Sequence, residues 1–66
     1  MKVKVKELVP GQVIRVEYGD YENWVNFQVD AVKPDGRYIN VDCHAGSIYT
    51  TLALEPEEIV EVVENA

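Results

Sequence analysis

Between Trp24 and Cys43 the apolar residues fall on every second position: Val25, Phe27, Val29 and Ala31, then Ile39, Val41 and Cys43. A period of two belongs to strands with one buried face, because only there do alternate side chains share a side. Two such strands in close succession predict a hairpin, and residues paired across it must share a face and match in character. Pro34-Asp35-Gly36 predicts a three-residue loop, in which proline presets the first turn position, aspartate tolerates the second and glycine takes the left-handed third. That loop sets Lys33 opposite Arg37, Ala31 opposite Ile39, Val29 opposite Val41 and Phe27 opposite Cys43. A two-residue loop that pairs Ala31 with Tyr38 and Val29 with Asn40 mixes the faces. Carried across a second loop at 44–47, the same reasoning sets Ile48 opposite Cys43, Thr50 opposite Val41 and Leu52 opposite Ile39, which completes a three-stranded meander.

The flanking segments extend this sheet. Residues 2–6 alternate Val3 and Val5 with three lysines, and lysines on one side are a common guard for an edge strand. Pro10-Gly11 is a turn, residues 12–18 form a strand with Ile14, Val16 and Tyr18 inward, and residues 19–23 form a loop dense in acids and aromatics. The last segment can be read in two ways. Pro56 with Glu57 and Glu58 has the character of a helix first turn, and Ile59, Val60, Val62 and Val63 suit a helical stripe. Valine favours strands, however, and a small sheet needs its edges closed, so a short turn at 55–58 and a closing strand are preferred. Paired with the first strand, it brings Lys2, Lys4 and Lys6 near Glu61 and Glu64. The expectation is one all-β domain over residues 1–66: a small five-stranded barrel around a central antiparallel meander.

At 66 residues the chain buries just enough surface to fold unaided, which leaves little room for a catalytic cleft. Six basic against twelve acidic residues give a net charge of −6, which repels phosphate backbones. One cysteine excludes an internal disulfide, and no apolar run approaches the ~20 residues of a membrane span. The first residues lack the apolar core of a secretory signal, so a cytoplasmic location is expected. Serine-nucleophile motifs, phosphate-cradling glycine loops and paired histidines are missing, so no enzyme, cofactor or metal is expected.

The segments LVPGQVIRV at 8–16, the meander at 24–54 and LEPEEIVEVV at 54–63 together resemble the Src-homology-3-like (SH3-like) barrels, a group that includes the KOW and Tudor modules. The resemblance spans nearly the whole chain and lies in the order of strands and turns. Free-standing chains of this length in that group are often phage or bacterial small proteins. Members read proline-rich peptides or methylated side chains from aromatic surfaces, and EYGDYENW at 17–24 is similar in flavour, although no binding residue of either kind matches one by one.

The predicted register also proposes a site. It places Asn26, Gln28, Asp30, Asn40, Asp42, His44, Tyr49 and Thr51 on the outer face, with Asp42 beside both Gln28 and Tyr49. It sets Trp24 opposite Gly46 and Asn26 opposite His44, so Tyr18, Tyr21, Trp24, Asp42, His44 and Tyr49 gather at one rim with Asp20 and Glu22. Such a rim is suited to a protein partner, since Trp and Tyr are the usual interface anchors and the acids select a basic ligand. The plainer alternative is a packing role, with the Trp ring covering a cross-strand glycine and the polar face merely solvated. Cys43 points inward and His44 outward, so Cys43 is a core thiol rather than a ligand or nucleophile. The functional expectation is therefore a small adaptor or inhibitor that binds another protein. The alternatives are acidic mimicry of nucleic acid by Glu55, Glu57, Glu58, Glu61 and Glu64, self-assembly through an open sheet edge, and KOW-like nucleic-acid binding through the lysines and Arg37.

Overall fold

The computed structural model describes residues 1–18 and 23–66. Among them, six antiparallel strands form one sheet: β1 (Lys2–Lys4), β2 (Val13–Glu17), β3 (Trp24–Asp35), β4 (Tyr38–Ala45), β5 (Ile48–Leu54) and β6 (Ile59–Glu64). Their order is β1-β6-β2-β3-β4-β5, so β1 and β5 are the two edges and the sheet does not close into a barrel. The fold is all-β, and its one helical piece among the described residues is the 3₁₀ turn Val5–Glu7. Among the described residues no helix is long and apolar enough to cross a membrane.

A flat sheet is a single layer, whereas this molecule measures 28 × 25 × 20 Å. The sheet therefore curls onto itself and encloses its apolar face. Phe27, Ile14, Val5, Val29, Val41 and Cys43 are fully buried there, with Leu8, Ile39, Val60 and Val62 completing the core. Gln12 closes the end of this core with hydrogen bonds. Its Oε1 accepts from the Val9 amide at 2.9 Å, and its Nε2 donates to Asn65 Oδ1 at 3.2 Å.

The strands lie where alternation puts them, but the register of the central hairpin differs from expectation. Gly36 and Arg37 alone make the turn, and Pro34 and Asp35 still belong to β3, paired with Ile39 and Tyr38. Gly36 has a φ of +61°, the positive value that the first position of a two-residue hairpin turn demands. The faces stay unmixed because the ladder slips at Asp30: Val29 pairs with Cys43, whereas Ala31 pairs with Asp42 and Val32 with Val41. A β-bulge there absorbs one residue and reverses the phase, so Val32 rather than Ala31 packs against the core. Pairs expected between Val29 and Val41 and between Phe27 and Cys43 are thus replaced. The second hairpin also has a two-residue turn, Gly46-Ser47. Cys43 pairs with Thr50, Val41 with Leu52 and Ile39 with Leu54, a slide of two residues that keeps every side chain on its expected face.

The closing strand forms as expected. β6 lies between β1 and β2 and matches Lys2 with Glu61, Val3 with Val60 and Lys4 with Ile59. β1 is shorter than the sequence suggests, because the chain tightens at Val5 and buries that side chain fully. The amides of Val5 and Lys6 then donate to the carbonyls of Glu58 and Pro56, at 2.9 and 3.1 Å. Glu64, expected near the lysines, pairs instead with Val13 of β2.

Candidate functional site

Two regions carry the residues singled out from the sequence. The first lies across β3, β4 and β5. His44 pairs with Tyr49, and their rings stack with centroids 5.2 Å apart and planes 25° off parallel. His44 Nδ1 lies 2.7 and 2.9 Å from the two carboxylate oxygens of Asp30, the residue that the bulge adds to β3. Beside them the Thr51 hydroxyl donates to Asp42 Oδ1 at 2.7 Å, and Lys33 Nζ lies 3.0 Å from Asp42 Oδ2. These two partners, the hydroxyl first, hold the Asp42 carboxyl below the ordinary carboxylate range. The cluster thus satisfies itself: the imidazole has its carboxylate, and the hydroxyl is already donating. Cys43 is no nucleophile for it, since burial, with Asp30 and Asp42 adding to it, pushes the thiol up to about 11. Among the described residues no group of three His, Cys, Asp or Glu side chains could hold a metal ion.

The second region surrounds Trp24, and the structure separates it from the first. Trp24 pairs with Glu17 of β2, and β3 meets β4 only from Gln28 onward, where Gln28 pairs with His44. Four strand positions span about 13 Å. Trp24 is therefore not opposite Gly46, Asn26 is not opposite His44, and Asp42 lies beside Ala31 and Thr51 rather than beside Gln28 and Tyr49. The short turn and the bulge are the cause, because together they slide β4 along β3. Tyr18 is also drawn away, its ring packed edge-on against Phe27 at 5.4 Å. Tyr21, with Asp20 and Glu22, lies outside the described residues.

Trp24 is 56% exposed, with the Arg15 guanidinium 5.3 Å from its ring centre. It forms one wall of a groove of about 550 Å³, whose apolar lining includes Val16, Leu52, Leu54, Ile59 and Val60 and whose rim carries Lys2, Arg15, Glu17, Glu58 and Glu61. The groove lies where the end of β5 approaches the paired strands β2 and β6 across the open side of the sheet. Sequence reasoning missed it because the seam appears only once the sheet curls. Its trace in the sequence is the apolar surplus of Leu52, Leu54 and Ile59 on both sides of the turn at 55–58.

Most of the basic side chains are engaged within the chain. Lys6 and Lys4 Nζ lie 2.7 and 2.9 Å from the two oxygens of Glu57, and these contacts, that of Lys6 first, draw its carboxyl down to about 2. Lys33 is held by Asp42, while Arg15 and Arg37 lie over Trp24 and Tyr38. Compared with protein-family models, curated proteins and solved structures, the chain matches none of them.

Proposed function

We propose that this protein is a non-enzymatic binding module, a small adaptor or inhibitor, and that the groove beside Trp24 receives another protein. One observation carries the reading. A tryptophan more than half exposed stands against a continuous apolar wall on a small domain, at a cost in exposed apolar surface that an interface would recover. The rim of both charges around that wall suits a polypeptide, whose backbone and side chains need polar partners at the margin of a buried centre. Lys4, Lys6 and Lys33 are committed to Glu57 and Asp42, which leaves little cationic surface for a phosphate backbone. The long bulged strand β3, its two tight hairpins and the final strand paired beside β2 support an SH3-like reading of the fold, with β1 as an added edge.

Trp24 is the single tryptophan of the chain, so its fluorescence reports on the groove directly. The test captures binding proteins from a lysate with tagged wild type, Trp24→Ala and Tyr49→Ala, each first verified as folded by circular dichroism. A partner bound by wild type and Tyr49→Ala but lost from Trp24→Ala, and which shifts Trp24 emission to the blue when added back, supports the groove. A partner retained by Trp24→Ala moves the binding surface elsewhere and ends the proposal.

A further inference from the structure

The two edges of the sheet are guarded very differently. β1 is three residues long and carries Lys2 and Lys4, whereas β5 runs for seven residues, IYTTLAL, without a charge, a proline or a bulge. Among the described residues, β5 pairs only with β4. A long, regular, uncharged edge is a template for another strand, and proteins that do not use such an edge usually block it.

The ladder fixes which groups it offers. In the two-residue turn, the Ala45 carbonyl faces the Ile48 amide, which makes Ala45 and Ile48 a hydrogen-bonded pair. Antiparallel ladders alternate, so Ile48, Thr50, Leu52 and Leu54 turn their amides toward β4, and Tyr49, Thr51 and Ala53 turn theirs outward. We propose that β5 pairs antiparallel with β5 of a second copy of this chain, with the two-fold axis at Thr51.

That register uses all three outward residues, setting Thr51 opposite Thr51 of the second copy and Tyr49 opposite its Ala53. On the inner face it sets Ile48 against Leu54 and Thr50 against Leu52. Every pair is then free of charge, and the Ile48 side chain, 53% exposed in the single chain, meets an apolar neighbour. A second copy fits better than an unrelated strand because this one register matches every residue of β5 and needs no other sequence. The contact is a single strand about 24 Å long and about one strand spacing wide, which covers far less than the ~800 Å² per partner of a stable interface, so the dimer is reversible and depends on concentration.

Sedimentation equilibrium from about 10 μM to about 1 mM, the range of weak interfaces, should show wild type passing from monomer to dimer. Thr51→Lys, which sets two like charges opposite each other, should weaken that dimer at least about tenfold. Thr51→Cys and Ala53→Cys read the register. Opposed Cα atoms of a hydrogen-bonded pair lie ~5.5 Å apart, within disulfide reach, whereas the two Ala53 positions would be ~14 Å apart. Under mild oxidation Thr51→Cys should cross-link to dimer and Ala53→Cys should not, with Cys43 buried and silent in both. A wild type that stays monomeric throughout, equal cross-linking of the two variants, or a dimer unchanged by Thr51→Lys overturns the proposal.

Discussion

Phe27 and Trp24 are three positions apart on β3 and do opposite work. Phe27 has no exposed surface, meets the Tyr18 ring edge-on and stands at the centre of the core. Removing a buried aromatic ring loses both its transfer energy and the contacts of the cavity left behind, about 3–5 kcal/mol. A domain of 66 residues has roughly 3–10 kcal/mol in all, at the usual stability per residue. Phe27→Ala should therefore leave the chain largely unfolded in a urea titration. Trp24 has more than half of its surface in water, and Trp24→Ala should shift the midpoint by no more than about 1 kcal/mol equivalent, the range of exposed substitutions. Comparable losses at the two sites would make Trp24 a packing residue and weaken the case for the groove. The inward face of β3 was legible as far as Val29, because alternation alone separates Phe27 and Val29 from Gln28. The different neighbours of Trp24 were not legible, since they depend on how far β4 slides along β3.

That slide is a property of the elements. Strand existence follows from side-chain period and β-branched content, both local, so the strand segments can be found by reading along the chain, although six strands stand where a five-stranded barrel was expected and the last segment also suited a helix. Register is a contest between turns, and two answers kept the apolar residues together here: a three-residue loop ending at Gly36, or a two-residue turn beginning there with a bulge six residues earlier. The sequence holds one trace of the second, the adjacent apolar pair Ala31-Val32, which a simple alternation must leave half outside. Once Asp30 bulges, Val32 faces inward and the Asp30 carboxylate reaches His44. The same geometry predicts the cost of changing the turns. Gly36 and Gly46 stand at φ of +61° and +60°, with nothing within 4 Å of where a Cβ would sit, so no steric clash enters. Gly36→Ala and Gly46→Ala should each cost about 1–2 kcal/mol from backbone conformation alone. Urea denaturation checks this. If Gly36→Ala is neutral, Gly36 does not hold the positive φ that the Gly36-Arg37 turn requires, and that turn is wrong.

For the whole molecule, a net charge of −6 is distributed unevenly: the cations at the start of the chain meet the acids near its end. Glu57, in the turn between β5 and β6, joins Lys6 and Lys4, so it ties the edge strand and the 3₁₀ turn to the closing segment. Its carboxyl falls from an ordinary 4.5 to about 2, drawn down first by Lys6 and then by Lys4. A lowered folded-state value means that the unfolded chain binds this proton more readily. The contribution to stability is therefore complete above about 4.5 and fades as pH falls through about 2. The Glu61 and Asp42 carboxyls, also held below their usual range, add to the same acid limb. Self-repulsion works against this at first, because protonating unpaired acids between neutral pH and the carboxylate range relieves the negative excess. Thermal unfolding as a function of pH should then show a broad maximum on the mildly acidic side and a steep fall below about 4.5. Glu57→Gln should melt below wild type at neutral pH and converge with it near pH 2, where the wild-type carboxyl is also losing its charge. High salt should narrow the gap at neutral pH, because both lysines and the glutamate stand in water and screening weakens exposed pairs. A gap that persists unchanged down to pH 2 would mean that Glu57 acts through its shape in the turn rather than its charge, and the tie between the two ends of the chain would be steric.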